Sequence, residues 1–183
     1  MKSEILIIDI ETTGFLSCGG KICEIGVVSL CLDSGNKEIV FDKIINPLVD
    51  DDALRKSWIV KNNYMTIEDI KNGVIFDNIK EELQVLINKH PNGATAYNIN
   101  FDFDFLRNYG ITFPKKLACP MHESTNICKI PRASGWGYKW PTAEEAYKHF
   151  NPGVEYKELH RGADDAFHEA DIVYKLHLLR NKK

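Results

Sequence analysis

The chain has 183 residues, of which 44% are hydrophobic and 27% charged, with a formal net charge of −3. That length supports one well-buried core, so a single domain over residues 1–183 is expected. The slightly acidic balance excludes broad electrostatic docking on nucleic acid, yet it leaves room for an enzyme that takes a short nucleic-acid end through bound cations.

Glu4 to Ile10 forms the first predicted strand, Cys23 to Asp33 the second and Lys37 to Asn46 the third, with Ser34, Gly35 and Asn36 as a hairpin turn and Pro47 closing the unit. From Asp52 to His90 the pattern turns helical: Thr66 followed by Glu68 and Asp69 marks a helix start. Ile79, Leu83, Leu86 and Ile87 make an apolar stripe on a longer helix beginning near Asp77. Ala94 to Tyr97 is a short strand, and a helix from Phe101 to Tyr109 follows. Lys116 to Cys119 is another short strand, followed by helices from about Pro120 to Lys129, from Pro141 to Phe150, and from about Arg161 to the C-terminal region. Strands gathered first and then alternating with helices predict a mixed α/β sheet with helices on its faces.

No apolar run reaches bilayer thickness, and the N-terminal residues lead straight into a strand without a secretory pattern. A soluble, cytoplasmic protein without a membrane partner is expected. Cys18, Cys23, Cys31, Cys119 and Cys128 are odd in number and lack the paired spacing of a zinc ribbon, so reduced, mostly buried thiols are expected.

Asp9 and Glu11 carry the most information. They close the run Ile5-Leu6-Ile7-Ile8-Asp9-Ile10-Glu11, and period-two alternation projects both carboxylates from one face of an otherwise buriable strand. Like charges this close resist desolvation unless one is protonated or a cation lies between them. A strand running out into a solvated acidic turn has the same pattern. Helical projection then sorts two further acidic neighbourhoods. Asp102 falls on the apolar side with Phe101, Phe105 and Leu106, whereas Asp104 lies opposite. Asp165 lies beside Ile172, Leu176 and Leu179, whereas Asp164 joins a polar stripe with His168, Asp171 and Lys175 that includes an Asp171 to Lys175 pair. Each of these two aspartates starts a helix and is equally suited to capping. Together with the strand pair they make a set of four carboxylates, the composition of a two-metal phosphoryl-transfer site. His160 converges with Asp165 only if it sits in the loop ahead of the helix, because five residues along a continuous helix separate side chains by about 140°.

These segments resemble the DEDDh 3′ to 5′ exonucleases of the ribonuclease H-like superfamily, including proofreading subunits of the DNA polymerase III epsilon type. Asp-Ile-Glu-Thr-Thr-Gly at 9 to 14 is similar to the first exonuclease motif. Asn98 to Leu106 is similar to the second, and His160-Arg-Gly-Ala-Asp-Asp165 to the third. The resemblance implies a five-stranded sheet with the second strand antiparallel, flanked by helices. It implies Asp9, Glu11, Asp102 and Asp165 as ligands of two Mg²⁺ or Mn²⁺ ions, with His160 as general base. It further implies Thr12, Thr13 and Gly14 at the terminal sugar, Phe15 or Leu16 against the base, and Tyr64, Met65, Asn98 and Phe101 around the bound end. The partner is the 3′ end of DNA, or of RNA as in the RNase T and oligoribonuclease types, with a DNA polymerase as a further partner in the epsilon type. A non-catalytic binding module on the same fold is the reading of another class. Asn63-Tyr64-Met65-Thr66 replaces the His-Gly-Ile-Thr common in relatives, and Cys119-Pro120-Met121 replaces Asp-Thr-Met, so a different wall over the terminal nucleotide is expected.

Two weaker features have competing readings. The loop Pro131 to Trp140 mixes Arg132 and Lys139 with Trp136, Tyr138 and Trp140, a composition that suits stacking of unpaired bases and equally suits docking on the domain. His122 with Glu123, and His168 with Glu169, read as solvated residues on polar helix faces.

Overall fold

Period-two alternation along β1 (Glu4–Thr12) divides its side chains between two cores. Leu6, Ile8 and Ile10 enter one core, and Ile5 and Ile7 the other. The computed structural model describes residues 3–181. β1 pairs antiparallel with β2 (Ile22–Cys31), which pairs antiparallel with β3 (Lys37–Ile44); Gly35 takes the positive φ of 77° that the connecting turn requires.

Short helices α1 (Asp51–Lys56), α2 (Trp58–Lys61) and α3 (Ile67–Asn72) follow. Asp50 caps the first, its side chain accepting the Ala53 N–H at 2.7 Å. Thr66 and Asp69 form a reciprocal capping box at the start of the third. Helix α4 (Phe76–Asn88) lays Phe76, Ile79, Leu83 and Ile87 on the first core. Then come β4 (Ala94–Thr95), α5 (Ile99–Asn108), α6 (Pro120–Cys128), α7 (Ala143–Phe150) and α8 (Gly162–Arg180).

The sheet order is β3-β2-β1-β4, with β2 antiparallel to its neighbours and β4 parallel to β1. The mixed α/β sheet flanked by helices is as expected, but among the described residues it has four strands, not five. Lys116 to Cys119 contributes a single parallel bridge, Ala94 to Lys116; beyond it Thr95 Oγ1 donates to the Ala118 carbonyl (2.9 Å), and Pro120 opens a helix. β1 continues two residues beyond the predicted end, to a bulge between Glu11 and Thr12. The five thiols are unpaired as expected, but only Cys23 is buried and Cys18 is exposed. Asp171 meets Lys37 at 2.8 Å, not Lys175, because α8 packs across β2 and β3.

Ala166, Ala170 and Val173 place α8 on the second core, against Ile5, Ile7, Val28 and Leu30. The approach is closest at the helix start. A Cβ on Gly26 would lie 2.0 Å from the Gly162 carbonyl carbon, and one on Gly162 would lie 2.7 Å from the Gly26 nitrogen and 3.1 Å from the Asp9 carbonyl oxygen. The two backbones touch, so no side chain fits at either position. Gly26→Ala is expected to lower stability by at least about 2 kcal/mol through overpacking against backbone that has no rotamer to yield. Urea unfolding checks this, and a variant within about 0.5 kcal/mol of the parent, the usual range for a surface substitution, would show that the contact gives way.

Candidate active site

Because Asp9 and Glu11 share the alternation of Ile5 and Ile7, both face the start of α8 where that helix touches the sheet. Asp165, in the first turn of α8, is 3% exposed. Its Oδ1 accepts the Tyr156 O–H (2.7 Å) and the Leu159 N–H (3.3 Å), and its Oδ2 accepts the Arg161 N–H (3.0 Å). Asp102, in the first turn of α5, is also 3% exposed, and its Oδ1 accepts the Ile10 N–H at 3.2 Å. That bond fixes α5 to the residue between Asp9 and Glu11. Asp104, on the opposite face, is exposed and pairs with Arg107.

His160 lies in the loop before α8 with φ 53°, in the left-handed region. Its Nδ1 is 3.7 Å from Glu11 Oε1. The ring is held edge-on by Trp58 and Tyr64, at centroid distances of 4.7 and 4.2 Å, and these two rings stack on each other at 5.1 Å. One ligand atom each from Glu11, His160 and Asp165 lies within 4.8 Å of the others.

The electrostatics are those of carboxylates confined together. Burial, then the charges of Glu169, Asp102, Glu11 and Asp165, push Asp9 well above the usual carboxylate range. Burial, then Asp165, Glu24 and Asp102, push Glu11 up to about 9. Asp102 is pushed up to about 7 by burial, against the opposing effect of its backbone hydrogen bonds. His160 is lowered, chiefly by burial, which favours neutral imidazole. Asp9 Oδ2 is buried with no hydrogen-bond partner.

Beside this cluster an open pocket of about 290 Å³ is lined by Ile10, Glu11, Thr12, Gly14, Phe15, Trp58 and Phe101. Phe15 is 69% exposed and meets Phe101 edge-on at 6.4 Å. Thr12 Oγ1 donates to the Gly14 carbonyl (3.0 Å), and Thr13 Oγ1 accepts the Lys21 N–H (2.9 Å), so this pair shapes the turn leaving β1. Asn98 is exposed and begins α5.

Two expected lining residues are elsewhere. Met65 is buried among Cys23, Leu54, Ile59 and Ile70, and Leu16 packs against the main core; both are drawn in by apolar burial. Tyr64 reaches the site through its contact with His160.

Three residues escaped the sequence reading. Trp58 supplies the wall that Met65 was expected to supply. Glu24 faces Glu11 across the β1–β2 pair, and its carboxylate receives a fork of bonds from Arg161, at 3.0 and 3.1 Å from Nε and 2.9 Å from Nη2. Glu169 is not solvated but 3% exposed. A signal for it was present, since residue 169 lies only about 40° around the helix from residue 165 at 100° per residue. Of the loop aromatics, Trp140 docks, its ring 5.0 Å from that of His122 on α6, whereas Trp136 is 85% exposed at the tip of a turn closed by Arg132 N–H to Gly137 and Lys139 N–H to Ile130.

The RNase_T family model, described as Exonuclease, matches residues 6–173. The chain belongs to this exonuclease family. The DNA polymerase III PolC-type of Caldanaerobacter subterraneus subsp. tengcongensis is 26% identical over 184 residues, covering 96% of this chain; the chain spans 12% of that relative's length. Among solved structures, the nuclease domain of 3′hExo, a DEDDh family member, bound to rAMP, is similar with a TM-score of 0.69 at 18% identity, over 98% of this chain and 93% of that one. Cell-death related nuclease 4 (CRN-4) is similar with a TM-score of 0.72 at 14% identity, over 97% of this chain and 64% of that one. The match makes residues 6–173 a domain of this exonuclease family.

The raised carboxylates of this domain set a sign for its pH response. Glu11 and Asp102 hold protons in the folded state up to about 9 and about 7, whereas they release them near 4.5 and 3.8 when unfolded. The folded state therefore binds more protons over that interval, and stability falls as pH rises. Thermal melts of the EDTA-treated protein are expected to show Tm declining from pH 5 to pH 9. Added divalent cation is expected to flatten the decline, and a Tm that stays level or rises without cation would contradict this electrostatic account.

Proposed function

We propose that the protein is a 3′ to 5′ exonuclease that hydrolyses the terminal phosphodiester of DNA, at a single-stranded or mismatched end, and releases 5′ nucleoside monophosphates. The observation that carries the reading is the convergence of Glu11, His160 and Asp165 within 4.8 Å, next to a pocket walled by Phe15, Trp58 and Phe101. Asp9, Glu11, Asp102 and Asp165 are assigned to hold two divalent cations, Mg²⁺ or Mn²⁺. The donor set fits that role: Asp9 Oδ2 is buried without a partner, and burial, then the neighbouring carboxylates, raise the pKa of Asp9 and Glu11. Bound cations would supply the charge that lowers the pKa of an attacking water and stabilises the phosphoryl and leaving oxygens.

The remaining work falls to the side chains. Burial lowers the pKa of His160 and favours the neutral imidazole that can accept the proton of a water, while the charges of Asp165 and then Glu144 favour the imidazolium that results. Trp58 and Tyr64 restrict its ring to one orientation. Phe15 and Phe101 offer faces and edges to the terminal base, and the turn at Thr12 to Gly14 lies at the level of the terminal sugar.

RNA is the second reading, favoured by the solved structure bound to rAMP and by a further relative described as a 3′-exonuclease recognising the histone mRNA stem-loop. The PolC-type relative supports DNA and a polymerase partner instead. The reading includes a cytoplasmic location, supported by five unpaired thiols; among the described residues no helix is long and apolar enough to cross a membrane.

Nucleotide release from 3′-labelled single-stranded DNA and from matching RNA is the test, with Mg²⁺, Mn²⁺ or EDTA. Labelled monophosphate is expected only with cation and faster from DNA, absent in Asp9→Ala and slowed by about 10²–10⁴ in His160→Ala, the range for a lost general base. Faster release from RNA would move the substrate class to RNA. No release from either polymer would overturn the catalytic reading in favour of a binding module.

A further inference from the structure

We infer that Glu169 is a fifth anionic member of the cation site, lying beside Asp9, and that its charge tightens cation binding there. The inference rests on the reading of Asp9 as a cation-holding residue.

Glu169 follows Asp165 by four residues on α8, so the two carboxylates project from one face of the helix, one turn apart. It is 3% exposed, as buried as Asp102 and Asp165. Its carboxylate lies near the backbone N–H of Tyr97, in the segment leaving β4. Its Oε2 is buried with no partner, as is Asp9 Oδ2. Of the charges around Asp9, that of Glu169 acts on it most strongly, ahead of Asp102, Glu11 and Asp165.

Two buried carboxylates, each with an unsatisfied oxygen, are a costly arrangement for a fold to keep. Packing does not call for it, since Ile172 and Leu176 on the same side of α8 are ordinary core residues. A cation at Asp9 reverses the sign of the interaction, because the repulsion between the carboxylates becomes attraction of both for the ion. The alternative is a neutral, protonated Glu169 that acts only as a polar plug between α8 and Tyr97.

Glu169→Gln separates the two, since it keeps the size and the acceptor for Tyr97 and removes the charge. Mn²⁺ binding by isothermal titration calorimetry and the Tm of the EDTA-treated protein are read side by side. The expected result is a pair of opposite changes: Mn²⁺ affinity weakened by about ten- to a hundredfold, the range for outer partners of a metal site, and a higher Tm without cation. Unchanged Mn²⁺ affinity in the folded variant would overturn the inference. Glu169→Ala repeats the comparison should glutamine prevent folding, and unchanged affinity there would overturn it equally. Asp9→Asn is measured in parallel. If it leaves Mn²⁺ binding intact, the cation reading of Asp9 itself has failed; if it abolishes binding that Glu169→Gln preserves, only the role of Glu169 has failed.

Discussion

The start of α8 rests directly on the backbone of β2 at Gly26 and Gly162, and the position of Asp165 against Asp9 and Glu11 follows from that contact. A helix usually packs on a sheet through a layer of side chains about 10 Å thick. Here the first turn has none, and Ala166 and Ala170 keep the layer thin along the second core. Carboxylates that would otherwise be well separated are brought close and partly shielded from water. Arg161 and Glu24 stabilise the same junction from the other side. The guanidinium is spent on the buried carboxylate of β2, and Glu24 also accepts the Gly162 N–H at 3.2 Å. This cation is therefore committed to the scaffold, not to the acids facing the pocket.

Much of the arrangement is legible in one dimension because it follows periods that the chain displays. Alternation along β1 puts Asp9 and Glu11 on one face, and projection of α5 separates Asp102 from Asp104, which the structure buries and exposes respectively. The same projection of α8 singled out Asp165 but passed over Glu169, because the neighbouring His168 drew the pair into the polar stripe although the angle of residue 169 put it near Asp165. The polar reading failed on a prior, that glutamate is seldom buried, and not on geometry.

Other features depend on contacts across long sequence separations. The Glu24 and Arg161 fork spans 137 residues, and the exchange of Met65 for Trp58 in the pocket wall depends on how three short helices pack after Asp50. The fifth strand shows a different difficulty. Lys116 to Cys119 has the apolar character of a strand, but it forms a single bridge, beyond which Thr95 bonds to Ala118 and Pro120 opens a helix. Propensity marked the segment correctly as the neighbour of β4 and overstated how much ladder it forms.

The backbone at His160 has a consequence for stability. A non-glycine residue held at φ 53° carries a cost of about 1–2 kcal/mol that glycine would not. The loop keeps the residue there while its ring is clamped between Trp58 and Tyr64, so the fold bears a standing penalty at the position proposed for the base. Glycine at position 160 would relieve that backbone cost and forfeit the ring contacts with Trp58 and Tyr64, so the two contributions of this residue to stability oppose each other.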